Sequence, residues 1–318
     1  MEKLDLKDRK ILYELDIDSR QSFRSIGRKV GLSKDIVASR VKKLQERGII
    51  KRFYIRYDPL QLGLNILRFY FKFQYATPDI KKEIINHFMN YDYVDTLFST
   101  EGSYDLGVIM NVDKISDIYP FWRKTLEKYG DYFAKQIFSV YMGESAYGQS
   151  FLLDETEASD RSPSHHNLGI VEIDDLDLKI LKLLVSNSRM STLDIAKKLN
   201  SNVTTIHKRI KRLVDLKVIL AFSVELDLHK LGYQIWKVDF YLSEYSKSNQ
   251  IVKYIEKNPL FYAVDYTIGY ADLEFEIHVR NINQLYNIIE DLHTKFPKII
   301  RSYTHFSVVK VYKWFSLK

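Results

Sequence analysis

Apolar residues at Ile11, Leu12 and Leu15 mark one face of a helix near the amino terminus. A shorter helix is predicted from Ser22, a good N-cap, through Val30, with Ile26 and Val30 facing inward. Gly31 stops it, because glycine accepts the left-handed backbone that a tight helix end needs. Ser33 caps a third helix whose inner stripe is Val37, Val41 and Leu44. So short a turn between the second and third helices is the signature of a helix-turn-helix. The period then changes. Ile50 to Asp58 reads as strand, and Leu67, Phe69, Phe71 and Phe73 alternate with Arg68, Tyr70, Lys72 and Gln74. A helix over 79–90, strands near 94–100 and 104–112, a helix near 115–129 and a strand near 137–142 complete the order β-α-β-β-α-β.

The pattern recurs in the second half of the chain, from Asp5 through Gly63 without a gap 169 positions later. Asp5, Asp8, Ile11, Ser19, Arg20, Arg40 and Leu44 match Asp174, Asp177, Ile180, Ser188, Arg189, Arg209 and Leu213. Elsewhere different letters meet the same backbone demand. Asn200 stands for Gly31, and asparagine is the next residue type to tolerate the left-handed region. Asn202 stands for the Ser33 cap, Ser191 and Asp194 form a capping-box pattern, and Ile206, Ile210 and Leu213 repeat the inner stripe. Strands are predicted near 235–242, 263–267, 272–279 and 302–312. Two units are too few for a solenoid. They predict two homologous modules docked face to face, a dimer written as one polypeptide.

The predicted fold is therefore α+β. It has two copies of a winged helix-turn-helix domain, each followed by a ferredoxin-like βαββαβ regulatory domain, in a pseudo-twofold arrangement. The boundaries are 1–60 and 61–153 for the first copy, 154–169 for a linker, and 170–229 and 230–318 for the second. Acidic residues with Ser159, Ser162, Pro163 and Ser164 cluster in the linker without periodicity. His165 and His166 lie in it with no further ligand at helical spacing, so they read as solvated linker and no metal site is expected.

Charge sharpens the picture. The net charge of +7 sits in residues 1–58, which hold 16 Lys+Arg against 9 Asp+Glu, while the remaining chain balances. Residues 170–227 carry 10 against 8. A phosphate-binding surface on the first front half would have this distribution; a solvated basic face is the plainer alternative. No run approaches the ~18 apolar residues of a membrane span, and Met1 to Asp5 lacks the apolar core of a signal peptide. With no cysteine, disulfides and thiolate chemistry are excluded, and the expectation is a cytoplasmic protein.

Four stretches carry a resemblance to the Lrp/AsnC family of prokaryotic transcription regulators. Leu4-Asp5-x-x-Asp8-x-Lys10-Ile11-Leu12 resembles its opening helix, and Leu32-Ser33 through Arg40-Val41-x-x-Leu44 its recognition helix. Gly48-Ile49-Ile50 with Leu62-Gly63 resembles the wing and connector, and Gly102-x-x-Asp105-Leu106 a glycine-aspartate turn of the regulatory domain. The second copy keeps Asp174-x-x-Asp177, Arg209-Ile210-x-x-Leu213, Leu231-Gly232 and Gly269-x-x-Asp272-Leu273. Tandem versions are similar to proteins seen in archaea.

The resemblance implies double-stranded DNA as partner, with each third helix in the major groove. Ser33 and Asn202 begin those helices; Lys34, Asp35, Ala38 and Ser39 would read bases in the first, and Val203, Thr204, His207 and Lys208 in the second. Arg40, Lys42 and Lys43, with Arg209, Lys211 and Arg212, would hold phosphates, as would the wing residues Lys51, Arg52 and Arg56. Leu220, Ala221 and Glu225 replace those three wing cations in the second copy, so the heads are expected to read different half-sites and to share the load unequally. A partly decayed second copy is the alternative. The resemblance further implies a small effector such as an amino acid near Gly102, Asp105, Gly269 and Asp272, and self-association of the pseudo-dimeric chain. At those four positions, a purely structural turn role is as well supported. No cofactor is expected.

Arg68 and Lys72 lie on one face of the first regulatory strand, and Asp239, Glu274 and Glu276 occupy alternate positions of the equivalent strands in the second copy. Opposite charge on facing sheets would favour docking of copy one on copy two; solvated rims are the alternative. Signatures of common catalytic sites are missing: there is no P-loop, dinucleotide fingerprint, G-x-S-x-G or H-E-x-x-H. The chain is therefore expected to be no enzyme. Two alternatives stand beside it. One is a sirohaem-decarboxylase-like enzyme on the same fold, although 93–102 and 262–269 hold no His or Arg; the other is an interaction scaffold with vestigial heads.

Overall fold

The computed structural model describes residues 4–153, 164–165, 169–315 and 317. The first copy comprises α1 (Leu6–Ile17), α2 (Phe23–Val30), α3 (Lys34–Glu46), β1 (Ile50–Tyr57), β2 (Asn65–Phe73), α4 (Pro78–Met89), β3 (Val94–Gly102), β4 (Leu106–Val112), α5 (Tyr119–Tyr129) and β5 (Phe133–Ala146). The short β6 (Ser164–His165) pairs with the end of β5; apart from Gly169, the rest of the expected linker, His166 included, lies outside the described residues. The second copy comprises α6 (Asp175–Ser186), α7 (Thr192–Lys198), α8 (Val203–Asp215), β7 (Ile219–Leu226), α9 (Leu228–Leu231), β8 (Gln234–Leu242), α10 (Ser248–Ile255), β9 (Phe261–Ile268), β10 (Leu273–Val279), α11 (Ile282–Lys295) and β11 (Ile300–Lys313).

The expected helix ends are present. Gly31 ends α2 at φ 67° and Asn200 follows α7 at φ 48°, both left-handed. Ser191 accepts from Asp194 N as predicted, but the fully reciprocal capping box forms at Asp174 and Asp177. The first front half is packed by Ile11, Leu15, Ile26, Val37 and Val41, the second by Ile180, Leu184, Ile195, Ile206 and Ile210.

The regulatory strands run β5-β2-β4-β3 in the first half and β11-β8-β10-β9 in the second. Each half leaves two edges, and each edge is paired by the other half: β3 with β11 and β5 with β9. Because β2 also pairs with β5, eight strands close into a ring with no free edge among them. The odd positions Leu67, Phe69 and Phe71 face out against Phe88 of α4 and Trp122 of α5. The even positions face in.

The expected wings are corrected here. β1 and β7 pair with each other, antiparallel, as a separate two-stranded ribbon. Ile55 and Tyr57 of β1 join the apolar core of the second front half, while Val224 and Leu226 of β7 join that of the first. Around this ribbon the contacts are returned in kind. Ser19 Oγ meets Ser188 Oγ at 2.7 Å, fully buried. Ser19 N donates to Phe222 O and Ser188 N to Phe53 O; Asp58 N donates to Val218 O and Asp227 N to Ile49 O. Arg20 donates to Ser188 O and Met190 O, and Arg189 donates to Ser19 O and Gln21 O. Each contact from one copy has a counterpart from the other, with donor and acceptor at the matching positions.

Inside the ring the docking charges meet. Arg68, 1% exposed, reaches Glu274 at 2.5 Å and Asp265 at 3.4 Å. Lys237, at the equivalent position of β8, reaches Asp265 at 2.8 Å and Glu276 at 3.0 Å. Tyr270 donates to Asp239 at 2.7 Å. The solvated-rim alternative therefore fails for Arg68. Lys72 is the exception, pairing with Asp105 of its own half at 3.1 Å.

Burial pushes the Glu274 carboxyl up to about 7, against the pull of Arg68. Burial also acts on Glu276, but Lys237 and His278 prevail and hold it down at about 2. Glu274 thus binds its proton more tightly in the folded chain, so its contribution to stability falls as pH rises from its ordinary 4.5 through 7. Glu276 contributes above 4.5 and is lost as pH falls towards 2. Urea unfolding should show highest stability at mildly acidic pH. Arg68→Ala should cost about 3–5 kcal/mol at pH 8, where buried carboxylates lose their partner, and less at pH 5. A flat pH profile, or a loss no larger than that of an exposed ion pair, would contradict the buried-charge account.

Candidate nucleic-acid interface

A groove-reading surface needs a rigid helix whose outer face is open and whose inner face is fixed. α3 and α8 are both built this way. Ser33 accepts from Ile36 N and Asn202 from Thr204 N, so each helix begins at a satisfied cap. Val37, Val41 and Leu44 on α3, and Ile206, Ile210 and Leu213 on α8, are buried beneath them. Ser33, Lys34, Asp35 and Ser39 are exposed and Ala38 is half-buried. In the second copy Asn202, Val203, Thr204, His207 and Lys208 are all exposed. The structure thus brings both sets of base-reading candidates to open helix faces.

The three arginines of these helices assigned to phosphates are placed otherwise. Arg40 reaches Asp5 and Asp8 at 2.7 Å each, and Arg209 reaches Asp174 at 2.5 Å and Asp177 at 3.1 Å. The backbone N–H of Asp8 and the Arg40 guanidinium hold the Asp5 carboxyl below its ordinary range; Asp177 N and Arg209 do the same for Asp174. The repeated D-x-x-D and its distant arginine are therefore a clamp tying the start of the opening helix to the third helix. Arg212 adds a bond to Asp177 at 3.0 Å. Lys42 and Lys211 face the carboxylates of Glu46 and Asp215 one turn on, at 3.8 and 2.5 Å, but remain exposed. Lys34, Lys43 and Lys208 form no ion pair among the described residues and are exposed.

Two of the three wing cations are engaged by carboxylates instead of standing free. Arg56 is 6% exposed and bound to Glu144. Burial disfavours its charge, yet Glu144 and the surrounding tyrosines more than restore it and raise its pKa. Arg52 donates to Glu225 at 2.6 Å and lies opposite it in the ribbon. The substitution of Arg56 by Glu225 at the equivalent position is thus no lost phosphate contact: it supplies a partner across the ribbon. Lys51 stays exposed, 3.9 Å from Asp227.

Sequence reasoning also missed Arg24 and Arg28, exposed on α2 beside the open face of the first head. Their signal was the concentration of positive charge before residue 58. In the second head, Leu193 and Lys197 take their places.

The glycine-aspartate turns serve the fold. Phe73 N donates to Asp105 and Leu242 N to Asp272, both at 2.7 Å, the same contact in the two copies. Gly102 sits at φ 115°, where an added Cβ would lie 2.8 Å from His305 O. Gly269 is at φ 96°.

A model of the AsnC-type helix-turn-helix domain matches residues 4–45 and 173–214. An uncharacterised HTH-type transcriptional regulator of Pyrococcus furiosus is 46% identical over 88 residues, 28% of this chain and 60% of that protein, so the match spans less than two thirds of its length. An HTH-type transcriptional regulator of Methanocaldococcus jannaschii is 36% identical over 118 residues, 37% of this chain and 78% of that protein. Among solved structures, a sirohaem decarboxylase, NirDL, superposes with a TM-score of 0.64 at 14% identity, covering 98% of this chain and 94% of that one. At that identity the likeness is one of fold.

The clamp and the open cations should separate by experiment. Arg40→Ala should lower the thermal midpoint while leaving the salt dependence of duplex binding unchanged. Lys43→Ala should leave the midpoint alone and reduce the logarithmic salt slope by about 0.9 if it neutralises one phosphate. Thermal melts and anisotropy titrations across salt check both.

Proposed function

The chain belongs to the Lrp/AsnC family of DNA-binding transcription regulators, and we propose that it works as a covalent pseudo-dimer gripping one duplex with two heads. Each regulatory half has the strand order 4-1-3-2 of a ferredoxin-like unit. The returned contacts at Ser19 and Ser188 support a pseudo-twofold axis running between the heads. Its value is mechanical. The exchanged β1–β7 ribbon fixes the two heads to each other, so the second recognition helix is presented at high effective concentration once the first has bound.

The observation that carries this reading is the pairing of open outer faces on α3 and α8 with fully committed inner faces. Lys34, Lys42 and Lys43, joined by Arg24 and Arg28, supply the sequence-independent attraction to phosphate; Lys208 and Lys211 supply less of it in the second head. Lys51 remains a candidate phosphate contact, whereas Arg52 and Arg56 are assigned to holding the ribbon and ring.

The shared fold of NirDL raises a catalytic reading. Two features weigh against it. The cavity within the ring, lined in part by Arg68, Lys237 and Tyr70, measures about 100 Å³, whereas sites for drug-sized ligands run to roughly 300–1,000 Å³. Its cations are already matched by Asp265, Glu274 and Glu276, leaving none to receive the carboxylates of a large substrate. We therefore assign the ring a structural rather than a catalytic role.

Purified full chain should bind selected duplex DNA with strong salt dependence and give no Soret band on incubation with an iron tetrapyrrole. Uptake of the tetrapyrrole together with salt-independent or absent DNA binding would reverse the assignment.

A further inference from the structure

The two recognition helices share their supports and differ at every reading position. Counting 169 positions on, Arg40, Lys42 and Leu44 become Arg209, Lys211 and Leu213, unchanged. On the outer face Lys34 becomes Val203, Asp35 becomes Thr204, Ala38 becomes His207 and Ser39 becomes Lys208. The inner stripe stays apolar, with Val37 and Val41 becoming Ile206 and Ile210, whereas the side-chain chemistry changes where bases would be met.

The chemistry on offer differs in kind. In the first head, Lys34 and Asp35 stand side by side, exposed, and neither forms an ion pair among the described residues. Lysine donates to guanine O6 and N7, and aspartate accepts from the cytosine amino group. In the second head the same two positions hold Val203, 42% exposed, and Thr204. A valine in the open first turn contributes little to a helix, but its methyl groups match the thymine 5-methyl.

We propose that the first head specifies a G·C pair through Lys34 and Asp35, and the second a thymine through Val203. This rests on the DNA-binding reading above and deepens it. The chain then cannot read a palindrome. Although its heads are related by a near-dyad, it binds the duplex in one orientation and confers a direction on its site.

The test starts from duplexes selected by the full chain from a random library. Affinity is then measured by anisotropy at fixed salt with single-base analogues. Replacing thymine by uracil removes only the methyl, and should weaken binding about fourfold in one half-site. Val203→Ala should abolish that sensitivity. Replacing guanine by 7-deazaguanine in the other half-site should weaken binding about tenfold, and Lys34→Ala should remove the penalty. Both side chains are exposed, so the variants should melt with the parent. Identical half-site sequences, or uracil sensitivity that survives Val203→Ala, would overturn the proposal while leaving DNA binding intact. Failure to select any duplex would overturn the underlying reading as well.

Discussion

Strand edges that cannot be left open govern this molecule. Each regulatory half presents two, and an unpaired edge exposes a row of backbone donors and acceptors ready to template aggregation. Each of these edges is met by an edge of the other half. Joining β3 to β11 and β5 to β9 satisfies all four at once and closes the ring. Everything else is placed by that closure. It brings Arg68 against carboxylates contributed by the second copy, sets the two front halves beside each other, and lets β1 and β7 pair between them.

The closure is not symmetric in charge. Asp239, Asp265, Glu274 and Glu276 all come from the second copy, whereas the first contributes Arg68 at the position where the second has Lys237. Two first copies would bury Arg68 without these four acids, and two second copies would bury eight acids against two lysines. Buried unpaired charge costs several kcal/mol per ion, so the covalent pair is also the electrostatically preferred one. The same asymmetry recurs on the ribbon, where Arg52 of one strand meets Glu225 of the other. A chain that carries both halves can let them diverge, since each need fit only its own partner.

Much of this was legible residue by residue. The helix caps at Ser33 and Asn202, the stops at Gly31 and Asn200 and the strand alternation through Leu67 to Gln74 follow from local backbone and burial rules, and all appear where expected. The strand near 137–142 was undersized: β5 extends from Phe133 to Ala146, because its far end pairs with β9, a partner no local signal announces. Arg56 failed for a related reason. A cation in a strand beside a basic helix looks like a phosphate contact until the ring supplies Glu144 and buries it. Arg40 failed although its partners were in plain view, since Asp5 and Asp8 are 35 and 32 residues away and only the packing of α3 on α1 brings them within 2.7 Å.

The order of residues alone thus determined which segments are helix or strand, where the front-half helices are capped and stopped, and that two like modules share the chain, because these depend on neighbours a few positions apart. Tertiary structure alone decided which charges face water and which face each other. Local sequence cannot settle that, because the fate of a charge depends on desolvation and on partners that arrive from 88 positions away, as for Arg56 and Glu144, or 206, as for Arg68 and Glu274.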